Sequence, residues 1–297
     1  MSKYAFYPGC TLHSTGVEFG LSSELVCDCL GLEMVEIEDW NCCGASSAHS
    51  MDHTLFLSLP ARNLVKAQET GLGDLAIPCA ACYSRLAAAD LALQEDEAFR
   101  SQIESVLGFE YEGRVRPRSL LDIMANDLSR EQLTAKVTKP LAGLKVASYY
   151  GCLLVRPPAY TGLWDDPEHP QSMDYVSELL GAEAVAWSYG VDCCGGSLTL
   201  NRSDVVVHLV DKLARAAREA GAEALVTACP MCMANVDGRQ KYRGGPPLPR
   251  PPKPDYEPLP IFYFTELMAL AYGLPSGKAL GKHLVDPRPL LKRLELV

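Results

Sequence analysis

The sequence predicts an α/β protein made of two parallel α/β domains, related by a pseudo-twofold, with the loops at the carboxyl ends of their strands facing a shared cleft. Three observations predict it. One cysteine pattern occurs twice: Cys10, Cys42-Cys43-Gly44 and the CxxC of Cys79 and Cys82, then Cys152, Cys193-Cys194-Gly195 and the CxxC of Cys229 and Cys232. A three-part pattern does not recur by chance, so each copy marks a structural unit. Around each copy, short apolar runs alternate with helical periodicity, the order from which parallel sheets are built. The chain of 297 residues is also long enough to bury two cores. The expected domains are 1–138 and 139–297, with Lys136 to Leu141, around Pro140, as the linker.

In the first half, residues 3 to 7 read as a short strand that Pro8-Gly9 ends, delivering Cys10 where open α/β sheets place their sites. Val17, Leu21, Leu25 and Cys29 recur at helical spacing up to Gly31; this puts Cys29 on the apolar face and Cys27 off it. Both read as core or surface cysteines rather than ligands. Leu32 to Ile37 is a second strand leading into the CCG turn, where Gly44 would admit the backbone close to inorganic sulfide. A helix over 60–70 ends at Gly71, Asp74 to Ile77 is the third strand, and Pro78-Cys79 opens the next helix. That helix sets amide N–H groups and a positive dipole end beside the thiolates. It continues over 83–107 with a charged break at Gln94 to Glu97, and Ser119 to Leu128 is a further amphipathic helix.

The second half repeats the order. Leu144 to Tyr149 is a strand ending at Gly151-Cys152, a helix lies near 172–180, and Glu183 to Trp187 is a strand into the second CCG turn. Ser203 and Asp204 start a helix whose stripe is Val206, Leu209, Val210, Leu213 and Ala217, stopped by Gly221. Ala224 to Thr227 is the strand before Cys229, and Gly195 and Gly196 correspond to Gly44 in lining the site. Lys241 to Pro260 holds eight prolines; it reads as a stiff arm that either touches a partner or straps the protein's own fold. Thr265 to Tyr272 is a last apolar helix and Leu290 to Val297 an amphipathic tail.

A charged fraction of 22% beside 48% hydrophobic residues is ordinary for a globular chain. No run of 18 apolar residues offers a membrane span, and a net charge of -10 argues against nucleic acid. The opening MSKYAFYPGC lacks the pattern of a secretory leader, so the expected setting is cytoplasmic and reducing, where clustered cysteines bind metal more often than they pair. Structural zinc takes four ligands, which leaves one cysteine over in each copy. Disulfides fit worse, because adjacent cysteines are poorly placed to reach separate partners. Iron-sulfur chemistry suits five thiolates best, although a cubane cluster needs only four.

The runs GC, NCCGAS and PCAAC, repeated as YGC, DCCGGS and ACPMC, resemble the paired CCG domains of the B subunit of heterodisulfide reductase. So do CLLVRPPAYTGLWDDPEHPQSMD, from Cys152 to Asp174, and the run LPIFYFTELMALAYGL. The likeness covers nearly the whole chain. It implies that Cys10, Cys42, Cys43, Cys79 and Cys82 hold one noncubane 4Fe-4S cluster, and Cys152, Cys193, Cys194, Cys229 and Cys232 a second. It implies too that a disulfide is cleaved between them: the heterodisulfide of coenzymes M and B, or a related sulfur substrate such as a lipoyl group.

The sequence contains no compact ferredoxin run and no GxGxxG after a strand. Electrons are therefore expected from a C-type subunit with cubane 4Fe-4S clusters, and further upstream from a flavin-containing A-type one. His13, His49, Tyr150 and Tyr189 lie within sequence reach as proton donors. His53, close to His49, reads as a helix-start or surface residue, and Arg156 and Lys3 are weighed between an anionic substrate tail and surface ion pairs. The competing reading is an electron-transfer subunit of a glycolate-, lactate- or succinate-oxidising complex, since CCG domains occur there as well. A zinc scaffold is a third.

Overall fold

The computed structural model describes residues 2–45, 48–162, 164–241 and 255–297, with residues 49 and 50 described in backbone only. Two four-stranded parallel sheets carry the fold. The first contains β1 (Ser2–Phe6), β2 (Leu32–Glu36), β3 (Asp74–Ile77) and β4 (Arg116–Ser119) in the order β2-β1-β3-β4. Its helices are α1 (Val17–Leu30), α2 (His53–Gln68), α3 (Ala80–Glu95) and α4 (Glu97–Leu107). The second contains β5 (Lys145–Tyr149), β6 (Glu183–Ala184), β7 (Ala224–Thr227) and β8 (Ile261–Tyr263) in the corresponding order β6-β5-β7-β8. Its helices are α5 (Ser172–Leu179), α6 (Ser203–Glu219), α7 (Pro230–Lys241) and α8 (Phe264–Ala271). The α/β class and the paired parallel sheets are those expected from the sequence.

Each sheet gains a fourth strand that the sequence does not announce. Strand β4 reads Arg-Pro-Arg-Ser, yet it pairs with β3 from Asp74 opposite Arg116 to Ile77 opposite Ser119. Arg118 can be buried there because Asp122 and Asp127 accept from its guanidinium at 2.7 and 2.6 Å. Strand β8 is too short, and too continuous with the apolar helix after it, to be separated by pattern alone. Ser119 to Leu128, expected as one amphipathic helix, is the turn Leu120–Asp122 continued by the π-helix Ile123–Asp127.

Helix α2 starts well before residue 60. The Asp52 carboxylate accepts from the Leu55 amide at 2.7 Å, and that cap sets the start, with Pro60 inside the helix. Strand β6 stops at Ala184, short of the expected Trp187. The proline-rich arm falls mostly on residues 242–254, outside the described residues.

The two halves share one hydrophobic core that runs from Tyr4 to Leu296. Helix α8 of the second half packs on α1 of the first, and α5 of the second packs on the Leu120–Asp127 turns of the first. In the α1 contact Phe19 stacks on Tyr263 at 4.1 Å, and Ser22 Oγ meets Thr265 Oγ1 at 2.7 Å. This corrects the reading of α1: its buried face includes Phe19, Ser22, Val26 and Cys27, whereas Cys29 is only half-buried. Close by, Glu266 and Nε2 of His283 form a buried pair at 2.9 Å, while Asp237 accepts from the amides of Leu284 and Val285 at 2.7 and 2.8 Å. No helix among the described residues is long and apolar enough to cross a membrane.

Candidate metal centre

All ten patterned cysteines follow the carboxyl ends of strands: Cys10 after β1, Cys42 and Cys43 after β2, Cys79 and Cys82 after β3, and the second set after β5, β6 and β7. Parallel strands end there in loops and helix N-termini, so one edge of each sheet gathers five thiols. All are free. In the first set Cys42 lies 3.8 Å from Cys10, and Cys43 lies 3.3 Å from Cys82. In the second the matching pairs, Cys193 with Cys152 and Cys194 with Cys232, are both 3.7 Å apart. Exposure also repeats: Cys10 and Cys42 are exposed, Cys152 is half-buried and Cys193 exposed, while the other six are buried. Among the described residues no three His, Cys, Asp or Glu side chains close around a single-ion position.

The two sets meet at their CxxC turns. The Ala80 amide donates to the Ala228 carbonyl at 3.3 Å, and the Cys79 thiol hydrogen-bonds with Cys229. Beside this junction lies a cleft of about 160 Å³. The first half contributes Ala45, Ala80, Ala81 and Arg85 to its wall; the second contributes Cys152, Cys193, Cys194, Cys229 and Cys232 with Leu153 and Met231.

The entry to each CCG turn is pinned by a tyrosine, Tyr7 just past the end of β1 and Tyr149 at the end of β5. The Tyr7 hydroxyl donates to the Asn41 carbonyl and the Tyr149 hydroxyl to that of Asp192, both at 2.8 Å. Asn63 holds Asn41 further, accepting from its amide at 2.9 Å and donating to its carbonyl at 2.8 Å.

Hydrogen bonding among the thiols sets their charge. Cys42 is pulled down to about 2 by hydrogen bonds from Cys10 and then Cys43, with the Gly44 amide helping. Cys193 is pulled down to about 6 by Cys152, with the amides of Gly195 and Gly196. Cys10 and Cys152, which donate to those thiolates, are pushed far up. Cys229 is held well below the usual thiol range by Cys232 and Cys79 and by the first amides of α7, those of Met231 and Cys232. A helix N-terminus aimed at a thiolate gives this result.

At Gly44, φ is +74°, and a Cβ would meet Ala48 and Leu59 at 2.8 Å, so its bare face lies against apolar side chains while its amide faces sulfur. Gly195 repeats this against Leu209 and Val206, and a Cβ on Gly196 would come 3.0 Å from Met231. The glycines whose missing side chains face sulfur are Gly9 and Gly151. A Cβ there would lie 3.0 Å from Cys82 Sγ and 2.8 Å from Cys232 Sγ, respectively. Their signal is present in the sequence as the Gly-Cys dipeptide that begins both sets.

The candidate proton donors do not gather at the cleft. His13 stacks on Trp40 at 5.7 Å and lines a separate cavity of about 430 Å³ with Glu24, Asp28 and Glu36. Tyr150 borders the cleft, but its hydroxyl accepts from the Met173 amide at 2.7 Å. Tyr189 carries the Lys212 ammonium 4.4 Å from its ring centre. The side chain of His49 lies outside the described residues. His53 packs near Phe56 and Phe99. Arg156 pairs with Glu168 and Lys3 with Glu33, so both serve as ion pairs.

Comparison with known proteins places these features in context. The profile of the CCG cysteine-rich domain matches residues 4–87 and 146–237. The 8-methylmenaquinol:fumarate reductase membrane anchor subunit of Wolinella succinogenes is 32% identical over 97% of this chain and 99% of its own. The B subunit of the ferredoxin/F(420)H(2)-dependent CoB-CoM heterodisulfide reductase of Methanosarcina acetivorans is 29% identical over 95% of this chain and 92% of its own. Among solved structures, a hypothetical protein from Helicobacter pylori matches 96% of this chain with a TM-score of 0.73 at 14% identity. This chain spans 52% of that one, and the likeness shows the fold alone.

Proposed function

The chain belongs to the CCG cysteine-rich family that includes the B subunit of heterodisulfide reductase, and from that premise we propose that it is the iron-sulfur component of a complex that reduces a small disulfide, or oxidises the two thiols, between two noncubane 4Fe-4S clusters. The observation that carries this reading is the meeting of two five-thiol sets at Cys79 and Cys229, where the Ala80 amide donates to the Ala228 carbonyl. The donor set fits such a group: sulfur ligands suit iron-sulfur centres, and Gly9 and Gly151 leave room beside Cys82 and Cys232 that a Cβ would fill. Cys10, Cys42, Cys43, Cys79 and Cys82 would hold one cluster; Cys152, Cys193, Cys194, Cys229 and Cys232 would hold the other. When bound, such a pair supplies electrons singly from two sides of a sulfur-sulfur bond.

The chain's own residues supply the setting. Amides of Gly44, Gly195, Met231 and Cys232 offset negative charge on the thiolates, and Ala80, Ala81, Leu153 and Met231 give the cleft beside the second set apolar walls. The reaction RSSR′ + 2e⁻ + 2H⁺ → RSH + R′SH balances with electrons from a partner bearing cubane 4Fe-4S clusters, itself fed by a flavin protein. Domains 1–138 and 139–297 are the proposed units, and the reciprocal packing of α8 on α1 and of α5 on the Leu120–Asp127 turns supports a pseudo-twofold between them. A cytoplasmic setting would keep the thiols free.

The Wolinella relative favours a second reading: that the chain passes electrons without cleaving a disulfide, in a complex of the fumarate- or succinate-converting kind. Anaerobic assay with a reduced viologen dye separates the two. The first reading predicts two dye electrons consumed and two thiols released per disulfide. Dye oxidation by a quinone or by a partner protein, with no thiol released from any disulfide, would replace it with the second.

A further inference from the structure

The two halves share a second repeat, away from the cysteine sets. Glu24 to Gly31 reads ELVCDCLG and Asp174 to Gly181 reads DYVSELLG, and each run leads from a helix into the second strand of its half, α1 into β2 and α5 into β6. Each half therefore carries two acids one helical turn apart: Glu24 and Asp28, then Asp174 and Glu178. Among the described residues none of the four is in an ion pair. Acids four residues apart on a helix repel, and Asp28 and Glu178 stand in the last turn, at the negative end of the dipole, where neither helix has a basic residue to offset them. Both halves keep the same uncompensated charge.

Both pairs line a cavity between helix and sheet. In the first half, Glu24 and Asp28 border about 430 Å³ over a floor that includes Phe6 and Met34; in the second, Asp174 and Glu178 border about 550 Å³ beside Trp187. Among the described residues no lysine or arginine lines either one. Each cavity also contains a buried hydroxyl, Ser23 in the first and Ser148 in the second. Both serines are 2% exposed, and neither Oγ has a hydrogen-bond partner at normal geometry. Ser148 faces the Asp174 carboxyl, which burial pushes up from its ordinary range. Buried hydroxyls are ordinarily paired, so each cavity offers an unused acceptor next to its acids. The acids do not close around a single-ion position, which suits a cation spread over several atoms.

We propose that each cavity binds an alkylammonium or alkylguanidinium group, its charge held by the helix acids and the serine hydroxyl and its chain laid on the apolar floor. Lysine or arginine side chains of a docked protein and free polyamines share this chemistry. In the second cavity the Trp187 ring, fixed by the bond that its Nε1 donates to the Ser148 carbonyl at 2.8 Å, adds a face for the cation. A net charge of -10 draws cations from either source. The proposal stands apart from the disulfide reaction.

The test titrates the anaerobically purified full chain with agmatine by calorimetry, each variant being checked for unchanged iron content. Wild type is expected to bind two agmatines. The pair Glu24→Gln with Asp28→Asn should weaken one site roughly 10- to 100-fold, the range for a lost charge-assisted hydrogen bond, and Asp174→Asn with Glu178→Gln the other. Ser23→Ala and Ser148→Ala, which keep every charge, should each weaken their own site by roughly 5-fold. Glu97→Gln with Glu131→Gln removes the same charge from exposed first turns elsewhere and should change nothing. Spermidine and the peptide acetyl-Gly-Gly-Lys-Gly-Gly-amide distinguish the sources. The one whose binding the cavity substitutions reduce more marks a free polyamine or a protein side chain as the occupant, and either result upholds the sites. Agmatine binding indifferent to the cavity substitutions, or reduced equally by Glu97→Gln with Glu131→Gln, would overturn the proposal and leave the acids as solvated surface.

Discussion

Cys43→Ser is expected to purify with half the iron and half the acid-labile sulfide of the wild type, and Cys194→Ser is expected to lose the other half. Cys43 and Cys194 hold corresponding places, each buried and each near the last cysteine of its own set, at 3.3 Å from Cys82 and 3.7 Å from Cys232. Neither pair includes a thiol of the opposite half. A serine hydroxyl is a harder and less acidic ligand than a thiol, and it cannot replace thiolate at an iron-sulfur centre without large loss of affinity. The double substitution should remove nearly all iron. Cys27→Ser and Cys29→Ser should leave the iron content unchanged, because both cysteines belong to α1 and to neither set. Colorimetric iron and sulfide determinations on anaerobic preparations check all five. Complete loss from either single substitution would mean that the two sets hold one shared group.

Phe19→Ala is expected to cost about 3–5 kcal/mol, the range for emptying a buried aromatic position. Phe19 is fully buried, stacks on Tyr263 at 4.1 Å and meets the edge of Phe264 at 6.0 Å. The loss falls on the joint between the halves, since Phe19 is on α1 and both partners begin the α8 region. Chemical denaturation of the metal-loaded protein checks it. One cooperative transition at lower denaturant is expected, because the halves share one core. Leu25→Ala should cost clearly less, since Leu25 is only half-buried. Equal costs would restore the helical stripe of Val17, Leu21 and Leu25 as the true packing face.

These two cases show what pattern conveys and what it leaves out. The strands that carry cysteines were legible because each is a short apolar run broken by Gly, Pro or an adjacent cysteine pair, as at Asp74–Ile77 and Ala224–Thr227. The sheet edges were not. Strand β4 is charged, and Arg118 is buried only because Asp122 and Asp127, later in the chain, are placed to meet it. The buried face of α1 was illegible for a related reason: Ser22 is polar, and its burial follows from Thr265 on a helix of the other half. Periodicity within a helix carries no information about a distant partner.

In the site, thiol spacing indicated which cysteines would gather, but not which side chains would line the space between the sets. Arg85 resembles any helical surface arginine until the second half is brought beside it. Proximity in sequence is the only basis for the proton-donor candidates, and His13 shows the limit of that criterion: its ring lines another cavity altogether.

The most direct test of the central claim is an iron and acid-labile sulfide determination on protein purified without oxygen, joined to electron paramagnetic resonance during stepwise addition of 3,3′-dithiodipropionate. Two complete clusters predict about eight irons and eight sulfides per chain, with a new paramagnetic signal that appears only when the disulfide is present. About four irons or fewer, or a spectrum indifferent to the disulfide, would contradict two clusters acting together on one sulfur-sulfur bond.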